Sequence, residues 1–261
     1  MTEVPMMLDQ IADIAREAGR IILNCHGAAV HKKEGHFNFV TDADTRVQQY
    51  VKDALLSLLP GAGFFSEEQE NAPLTDAPTF VVDPIDGTLN FMRGRRCSAV
   101  SIALLEKKTP LLGVIYNPYA DELFSARKGG GAFLNGESIR ASAYAMDNAM
   151  VLFGTSPYDA DLCRRTVNAA ARFLARAGDL RRSGSAAVDL CDVACGRADI
   201  FFELRLRPWD VAAGALIVQE AGGCFHSLGH AAPYFEGPCG ILAANNACDG
   251  AALRIIQEAV I

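Results

Sequence analysis

The sequence lacks three features that would have classified it at once. It has no Cys-x-x-Cys pair, no apolar run long enough to cross a membrane, and no excess of basic residues. The first two absences argue against a disulfide or zinc framework and against a transmembrane segment. The 24 Lys and Arg against 31 Asp and Glu give a net charge of −7, which argues against binding to nucleic acid driven by charge.

Cysteine and histidine are present but show no metal-ligand spacing. The eight cysteines lie mostly in apolar stretches, so we interpret them as small core residues of a protein from a reducing, cytoplasmic compartment. Cys191 and Cys195 would face the same side of a helix, but zinc would need further ligands nearby. We expect solvated or core roles for the histidines, which are His26, His31, His36, His226 and His230.

The 261 residues suffice for one large domain or two modest ones, because domains centre on about 100–150 residues. Hydrophobic periodicity predicts helices over residues 7–25, 41–61, 161–177, 185–195, 210–221 and 249–260. Short apolar runs predict strands over residues 63–66, 79–82, 99–105, 111–116, 122–126, 150–153, 200–203 and 240–244. This order predicts a layered α/β fold with subdomains 1–143 and 144–261.

The segment after residue 79 is the most informative. An apolar strand is predicted to stop at Asp83, where Pro84 and Gly87 favour a turn that aims Asp83 and Asp86 at one point. Two carboxylates about 4 Å apart repel by roughly 1 kcal/mol in water, and Mg²⁺ binding offsets that repulsion. The alternative is an ordinary surface turn, in which Asp, Pro and Gly are common.

Two further acidic positions favour a metal site. Glu67, followed by Glu68, ends a predicted strand, where α/β sheets often present ligand-binding residues. Asp210 precedes an apolar helix and could be either its N-cap or a metal ligand.

These segments resemble the inositol monophosphatase family of Mg²⁺-dependent, lithium-sensitive phosphatases, and the resemblance covers nearly the whole chain. It is carried by residues 83–88 and 209–214, with support from segments 40–44, 67–68, 126–133, 135–136, 182–187 and 220–223. The resemblance implies an αβαβα sandwich and a homodimer.

The family pattern implies two or three Mg²⁺ ions per site. Glu67, Asp83 and the carbonyl of Ile85 would hold one ion, Asp83, Asp86 and Asp210 a second, and Glu67 would help to hold a weaker third. Direct attack by a metal-activated water, without a phosphoenzyme, is then expected. Ser183 and Ser185 have no nearby base and are not expected to act as nucleophiles.

The same pattern implies how substrate would be held. Backbone N–H groups at Gly87 and Thr88 would receive the phosphate, and Asp44 would support Thr88, which orients the attacking water together with Glu67. The residues facing the alcohol part of the substrate would be Gly184, Ser185, Ala186, Glu203 and Asp210.

We therefore expect a phosphatase of small polyol or sugar phosphates, with inositol monophosphate as the leading candidate. The alternatives within the superfamily are histidinol phosphate, fructose 1,6-bisphosphate and 3′-phosphoadenosine nucleotides. An RNA- or transcription-complex-binding role is the alternative from another class, and the acidic charge weighs against nucleic acid.

Three departures from the family pattern have unassigned consequences. Asn38 replaces an Asp in the loop that contains Lys33, and Arg95 and Arg96 replace a Pro and an aromatic residue. For the arginine cluster, a solvated helix face is expected, and a second phosphate pocket is the alternative. The cluster consists of Arg164, Arg165, Arg172, Arg176, Arg181 and Arg182.

Overall fold

The protein contains both helices and strands in the computed structural model, which describes residues 3–25, 30–32, 39–157, 159–228 and 237–260. The helices are α1 Glu3–Asn24, α2 Asp42–Leu58, α3 Thr88–Met92, α4 Ala160–Leu174, α5 Ala186–Ala194, α6 Pro208–Glu220 and α7 Asp249–Val260. The strands of the first half are β1 Val30–Lys32, β2 Phe39–Thr41, β3 Gly63–Ser66, β4 Thr79–Asp86, β5 Ala99–Glu106, β6 Thr109–Asn117, β7 Glu122–Arg127, β8 Gly131–Leu134 and β9 Glu137–Ser138. Those of the second half are β10 Met150–Phe153, β11 Asp179–Arg181, β12 Ile200–Leu206, β13 Cys224–Leu228 and β14 Cys239–Ala244.

Two large sheets organise these elements. The first has seven strands in the order β3-β4-β5-β6-β7-β8-β9, with β3 and β4 parallel and the other pairs antiparallel. The second has five strands in the order β11-β10-β12-β14-β13, and β10 is parallel to both of its neighbours. Strands β1 and β2 form a separate antiparallel pair.

Alternating side chains bury both faces of each sheet. On β4, Phe80 and Val82 pack with α1 and α2, whereas Val81 packs on the opposite side with α5 and α6. On β12, Phe201 joins the same central core, and Phe202 faces α4 and α7. Since successive residues of a strand face opposite sides, this pattern gives five layers in the order helix, sheet, helix, sheet, helix.

The central layer is formed by α5 and α6, and α6 is apolar nearly all around, as a helix enclosed by two sheets must be. Two glycines allow its close packing. A Cβ at Gly113 of β6 would lie 2.9 Å from the carbonyl oxygen of Ala213, and one at Gly214 would lie 2.5 Å from Leu190. The predicted αβαβα sandwich is therefore confirmed.

The largest differences from the predicted elements concern strands. β4 does not stop at Asp83 but continues through Pro84 to Asp86, so the predicted abrupt end at Asp83 is wrong. Strands β1, β2, β8, β9, β11 and β13 were not predicted, because they are short or contain polar residues that weaken the apolar signal. The division into subdomains 1–143 and 144–261 stays a prediction.

Across the described ranges, none of the helices has the length and apolar content needed to span a bilayer.

Candidate active site

A β-bulge near the end of β4 brings two carboxylates to one side of the strand. In the register with β5, Asp83 lies opposite Ser101 and Asp86 lies opposite Ala99, so β4 contains one extra residue between them. Residues three apart on a regular strand face opposite sides, and the extra residue removes that difference. Asp83 and Asp86 are 2% and 6% exposed, so this segment is not a solvated surface turn.

The first turn of α6 supplies a third carboxylate from the other half of the chain. Asp83, Asp86 and Asp210 each offer an oxygen, and these oxygens lie within 4.8 Å of one another. Pro208 begins α6, so Asp210 is the third residue of the helix and not its N-cap. Its Oδ2 accepts a hydrogen bond of 2.6 Å from the backbone N–H of Arg207, which fixes the carboxylate at the helix start.

Burial and mutual repulsion disfavour ionisation of this group. The pKa of Asp83 is raised well above its ordinary value, first by burial and then by the charges of Glu67, Asp86, Asp210 and Asp44. The pKa of Asp210 is also raised, by burial and then by Asp86 and Glu67.

Asp86 is held by the start of α5. Its Oδ2 accepts hydrogen bonds from the hydroxyl of Ser185 and, at 3.0 Å, from the backbone N–H of Ala187. Burial raises the pKa of Asp86 to about 6, and the hydrogen bonds from Ser185, Ala187 and Ala186 limit the increase. Ser185 is also the N-cap of α5, so its hydroxyl is committed to structure.

Thr88 and Asp44 lie beside the carboxylates. The hydroxyl of Thr88 is 3.4 Å from Asp44 Oδ1 and 3.2 Å from the carbonyl oxygen of Ile85. The other oxygen of Asp44 accepts from the backbone N–H and the hydroxyl of Thr41, at 2.8 and 2.5 Å. Because Thr41 is the N-cap of α2, the start of this helix fixes the buried Asp44 against Thr88.

Glu67 immediately follows β3 and lies outside the group of three, although its charge acts on Asp83 and Asp210. Gln48 of α2 holds the turn that contains it. Gln48 accepts from the hydroxyl of Ser66 at 2.7 Å and from the N–H of Glu68 at 3.1 Å, and it donates to the carbonyl of Glu68 at 3.0 Å. Sequence reasoning missed Gln48, because nothing near it in the chain indicates these contacts.

Close packing at Gly87 joins the two halves of the chain next to the carboxylates. Gly87 has φ +83°, and a Cβ there would lie 3.1 Å from the carbonyl oxygen of Cys97 and 3.2 Å from that of Gly184. The amide of Asn90 adds a bridge, since it donates to the carbonyls of Cys97 and Ser183 at 2.8 and 3.1 Å.

Glu203 of β12 is partly buried, and its carboxylate lies directly over Gly154. A Cβ at Gly154 would fall 1.7 Å from Glu203 Oε2, so only glycine leaves that space free. The pKa of Glu203 is raised well above its ordinary value by burial and by Asp210, while Arg182 opposes the shift. Gly154 is a second residue that sequence reasoning missed.

The departures from the family pattern have different outcomes. Asn38 and Lys33 lie outside the described residues. Arg95 is exposed and lies 3.3 Å from the carbonyl oxygen of Ser183, whereas Arg96 has a positive φ of 56°. In the arginine cluster, Arg164, Arg172 and Arg181 pair with Asp161, Glu258 and Asp179, as expected for a solvated face.

The spacing of cysteine and histidine in the sequence did not reveal one group of possible metal ligands. The solvated or core roles of the histidines stay a prediction, and His26, His36 and His230 lie outside the described residues. His226 lies with Cys224 and Asp249 in a second group whose candidate ligand atoms are within 4.8 Å of one another. Cys224 and His226 are two residues apart, a spacing that gives no signal in a helix but places both on one face of a strand. The strand was not predicted, so the pair was missed.

The buried carboxylates fit a hard divalent cation. Every donor in the group is a carboxylate oxygen, the type that Mg²⁺ favours, and a cation would offset the repulsion that raises the pKa of Asp83. Fold and site together define a class: a five-layered α/β protein whose acidic centre is assembled from both halves of the chain.

Comparison with known proteins identifies the family. The sequence profile of the inositol monophosphatase family matches residues 6–260, and the chain belongs to this family of phosphatases. It is 42% identical to inositol monophosphatase 2 of Solanum lycopersicum over 83% of this chain and 85% of the relative. It is 38% identical to the Nus factor SuhB of Escherichia coli K12, covering 83% of each chain.

A solved structure agrees with the observed architecture. The IMPase of Thermotoga maritima superimposes with a TM-score of 0.87 at 31% sequence identity, covering 97% of this chain and 98% of that chain.

Proposed function

We propose that the protein is a Mg²⁺-dependent phosphomonoesterase that hydrolyses a small polyol or sugar phosphate, with inositol monophosphate as the leading candidate. The observation that carries the proposal is the convergence of Asp83, Asp86 and Asp210 on one point, next to the pair formed by Thr88 and Asp44. Membership of the family supports it.

The proposed ligands of two or three Mg²⁺ ions are Glu67, Asp83, the carbonyl of Ile85, Asp86 and Asp210. When bound, Mg²⁺ supplies a Lewis acid that lowers the pKa of water and neutralises charge on the phosphate. Asp83 would serve as a ligand to two of the proposed ions. Its burial among acidic groups supports this central position.

The protein's own groups orient the reactants. The hydroxyl of Thr88, held against Asp44, positions the attacking water together with Glu67, and backbone N–H groups at Gly87 and Thr88 face the phosphate. Water attacks phosphorus directly, so no residue becomes phosphorylated and the alcohol leaves with a proton from solvent.

The alcohol part of the substrate is proposed to meet Gly184, Ser185, Ala186 and Glu203. Glu203 is an acceptor whose freedom is limited by Gly154, and it lies close enough to Asp210 for the two charges to interact. A carboxylate at this position accepts hydrogen bonds from the hydroxyls of a polyol, which supports a sugar or inositol phosphate.

The decisive experiment measures phosphate release by the purified protein, with and without Mg²⁺. The panel contains inositol monophosphate, histidinol phosphate, fructose 1,6-bisphosphate and a 3′-phosphoadenosine nucleotide. We expect the highest kcat/KM for inositol monophosphate, inhibition by lithium, and no turnover without the metal. Highest activity on another member would reassign the substrate, and no Mg²⁺-dependent release from any member would refute the phosphatase.

Two variants link this activity to the site. Asp83→Asn should remove most turnover while the fold stays intact by circular dichroism. Asp161→Asn makes the same chemical change at an exposed carboxylate of α4 and should keep full activity. Similar activity in the two variants would show that the site is misassigned.

The RNA- or transcription-complex-binding role is the second candidate, supported by similarity to the Nus factor SuhB. Acidic residues pair with Arg164, Arg172 and Arg181. This pairing reduces the positive charge available to bind RNA on that side of the protein. A salt-sensitive RNA complex that survives Asp83→Asn would favour this second candidate.

We also propose a homodimer in the cytoplasm, which follows the family resemblance and the presence of eight cysteines that form no disulfide bond. Light scattering of the purified protein would measure the assembly, and a monomer at micromolar concentration would contradict it.

A further inference from the structure

A second group of metal-binding side chains lies at the opposite end of α6 from the acidic centre. Cys224 and His226 are on β13, the edge strand of the five-stranded sheet, and Asp249 begins α7. The ten residue steps from Asp210 to Glu220 along α6 alone span about 15 Å. The two groups are therefore separate sites.

The geometry of this group is close to that of a tetrahedral ion site. The candidate ligand atoms lie within 4.8 Å of one another, and His226 Nε2 is 2.7 Å from Asp249 Oδ1. Ligand atoms around tetrahedral zinc are about 3.3–3.6 Å apart, given zinc bonds of about 2.0–2.3 Å. Side-chain adjustments of about 1 Å would therefore convert the hydrogen-bonded group into a coordination shell.

The donor types distinguish this group from the acidic centre. One sulfur, one imidazole nitrogen and one carboxylate oxygen are a set that zinc accepts, whereas Mg²⁺ favours oxygen alone. Asn246 Oδ1 lies 3.2 Å from Cys224 Sγ and could fill the fourth position, as could a water molecule. Cys224, His226 and Asp249 are each partly exposed, so an ion can reach them from solvent.

We propose that Cys224, His226 and Asp249 form a binding site for a zinc-type transition-metal ion that joins β13 to the start of α7. The site is structural, and it is independent of the proposed phosphatase chemistry. The bound ion replaces the hydrogen bond between His226 and Asp249 and connects the edge strand of the sheet to its outer helical layer.

Cobalt(II) is the probe that tests this site, because cobalt bound to a thiolate gives a charge-transfer absorption that an all-oxygen site does not. The full-length protein, held in excess Mg²⁺, is titrated with Co²⁺. We expect this absorption to saturate at one cobalt per chain, and Zn²⁺ to abolish it by displacement. Absence of the absorption in the wild-type protein would overturn the proposal.

Matched variants assign the signal. Cys224→Ser and His226→Gln should each reduce cobalt affinity at least tenfold, and Cys224→Ser should lose the thiolate absorption. Cys163→Ser changes another partly buried thiol and should keep the full signal, as should Asp83→Asn. Retention of the absorption in Cys224→Ser, or its equal loss in Cys163→Ser, would refute the site.

Thermal unfolding gives a second readout that needs no phosphatase activity. Saturating Zn²⁺ should raise the Tm of the wild-type protein by about 5 °C or more, and should leave that of His226→Gln unchanged. An equal increase in both proteins would contradict binding at His226. Since neither readout uses turnover, failure of this site and failure of the phosphatase assignment are distinguishable.

Discussion

Asp83 lies where burial and acidic neighbours disfavour its negative charge, which the proposed metal site requires. It is buried within β4, three residues before the end of the strand. Burial and four acidic neighbours raise its pKa, and the backbone N–H of Ile85 donates to it at 3.0 Å. Asparagine would keep the acceptor for that hydrogen bond and remove the charge. Asp83 therefore lowers the free energy of unfolding of the metal-free protein, and a bound cation would offset this loss.

For this reason Asp83→Asn should stabilise the metal-free protein at pH 8 while abolishing its response to Mg²⁺. We expect a Tm about 2–4 °C higher than that of the wild-type protein. For a chain of this size, this shift corresponds to about 1 kcal/mol in the free energy of unfolding. Differential scanning calorimetry with and without Mg²⁺ measures both effects. A lower Tm together with an unchanged Mg²⁺ response would contradict this account.

Asp86 gives a pH dependence. Folding raises the pKa of Asp86 from 3.8 to about 6. The favourable contribution of Asp86 to the free energy of unfolding is therefore fully present below pH 3.8 and is lost as the pH rises through about 6. Protons compete with the cation for Asp86 over this range, and the pKa values of Asp83 and Asp210 are raised as well, so Mg²⁺ affinity should fall at least about tenfold from pH 7.5 to 5. Isothermal titration calorimetry checks this, and an affinity independent of pH would refute it.

Gly154 tests the placement of Glu203. In Gly154→Ala the new methyl group would displace the carboxylate, so we expect KM for inositol monophosphate to rise about tenfold, as for one lost hydrogen bond, with a smaller change in kcat. Gly250→Ala is the control, because its Cβ would come no closer than 3.9 Å to Arg254. Steady-state kinetics that are equal for the two variants would show that Glu203 does not contact substrate.

At the level of elements, the site depends on contacts between segments distant in the chain. The start of α2 supports Thr88 through Asp44, the start of α5 holds Asp86, and the start of α6 supplies Asp210. The acidic residues could be predicted because each lies in a recognisable local pattern. The supporting contacts could not, because they form only after the helices pack on the sheets.

The hydrogen bonds between Gln48 of α2 and the turn after β3 are one such set of contacts. Gln48→Ala removes three hydrogen bonds from that turn, so Mg²⁺ affinity and kcat/KM should fall about 10- to 100-fold, as for other residues that support metal ligands. The adjacent Gln49 donates to Asp53 on the exposed face of the same helix, so Gln49→Ala is the matched control. Similar Mg²⁺ titrations of activity for the two variants would contradict this role of Gln48.

For the whole molecule, the order of elements predicted a layered α/β fold, and the family resemblance implied its five layers, but neither predicted the detailed edges of the sheets. Long periodic segments such as α1 and α7 were recognised from their apolar spacing. The bulge in β4 was not, since it depends on pairing with β5, and its consequence is that Asp83 and Asp86 face one side. Strand β13 was missed as well, and with it the group of Cys224, His226 and Asp249.

Both halves of the chain are proposed to build one cation site from Asp83, Asp86 and Asp210. Crystals soaked with Mn²⁺, a Mg²⁺ substitute with measurable anomalous scattering, would locate this site. We expect at least one anomalous peak within about 2.5 Å of oxygens from Asp83 and Asp210 in the wild-type protein, and none there in Asp83→Asn. A wild-type map without a peak between these carboxylates at millimolar Mn²⁺ would contradict it.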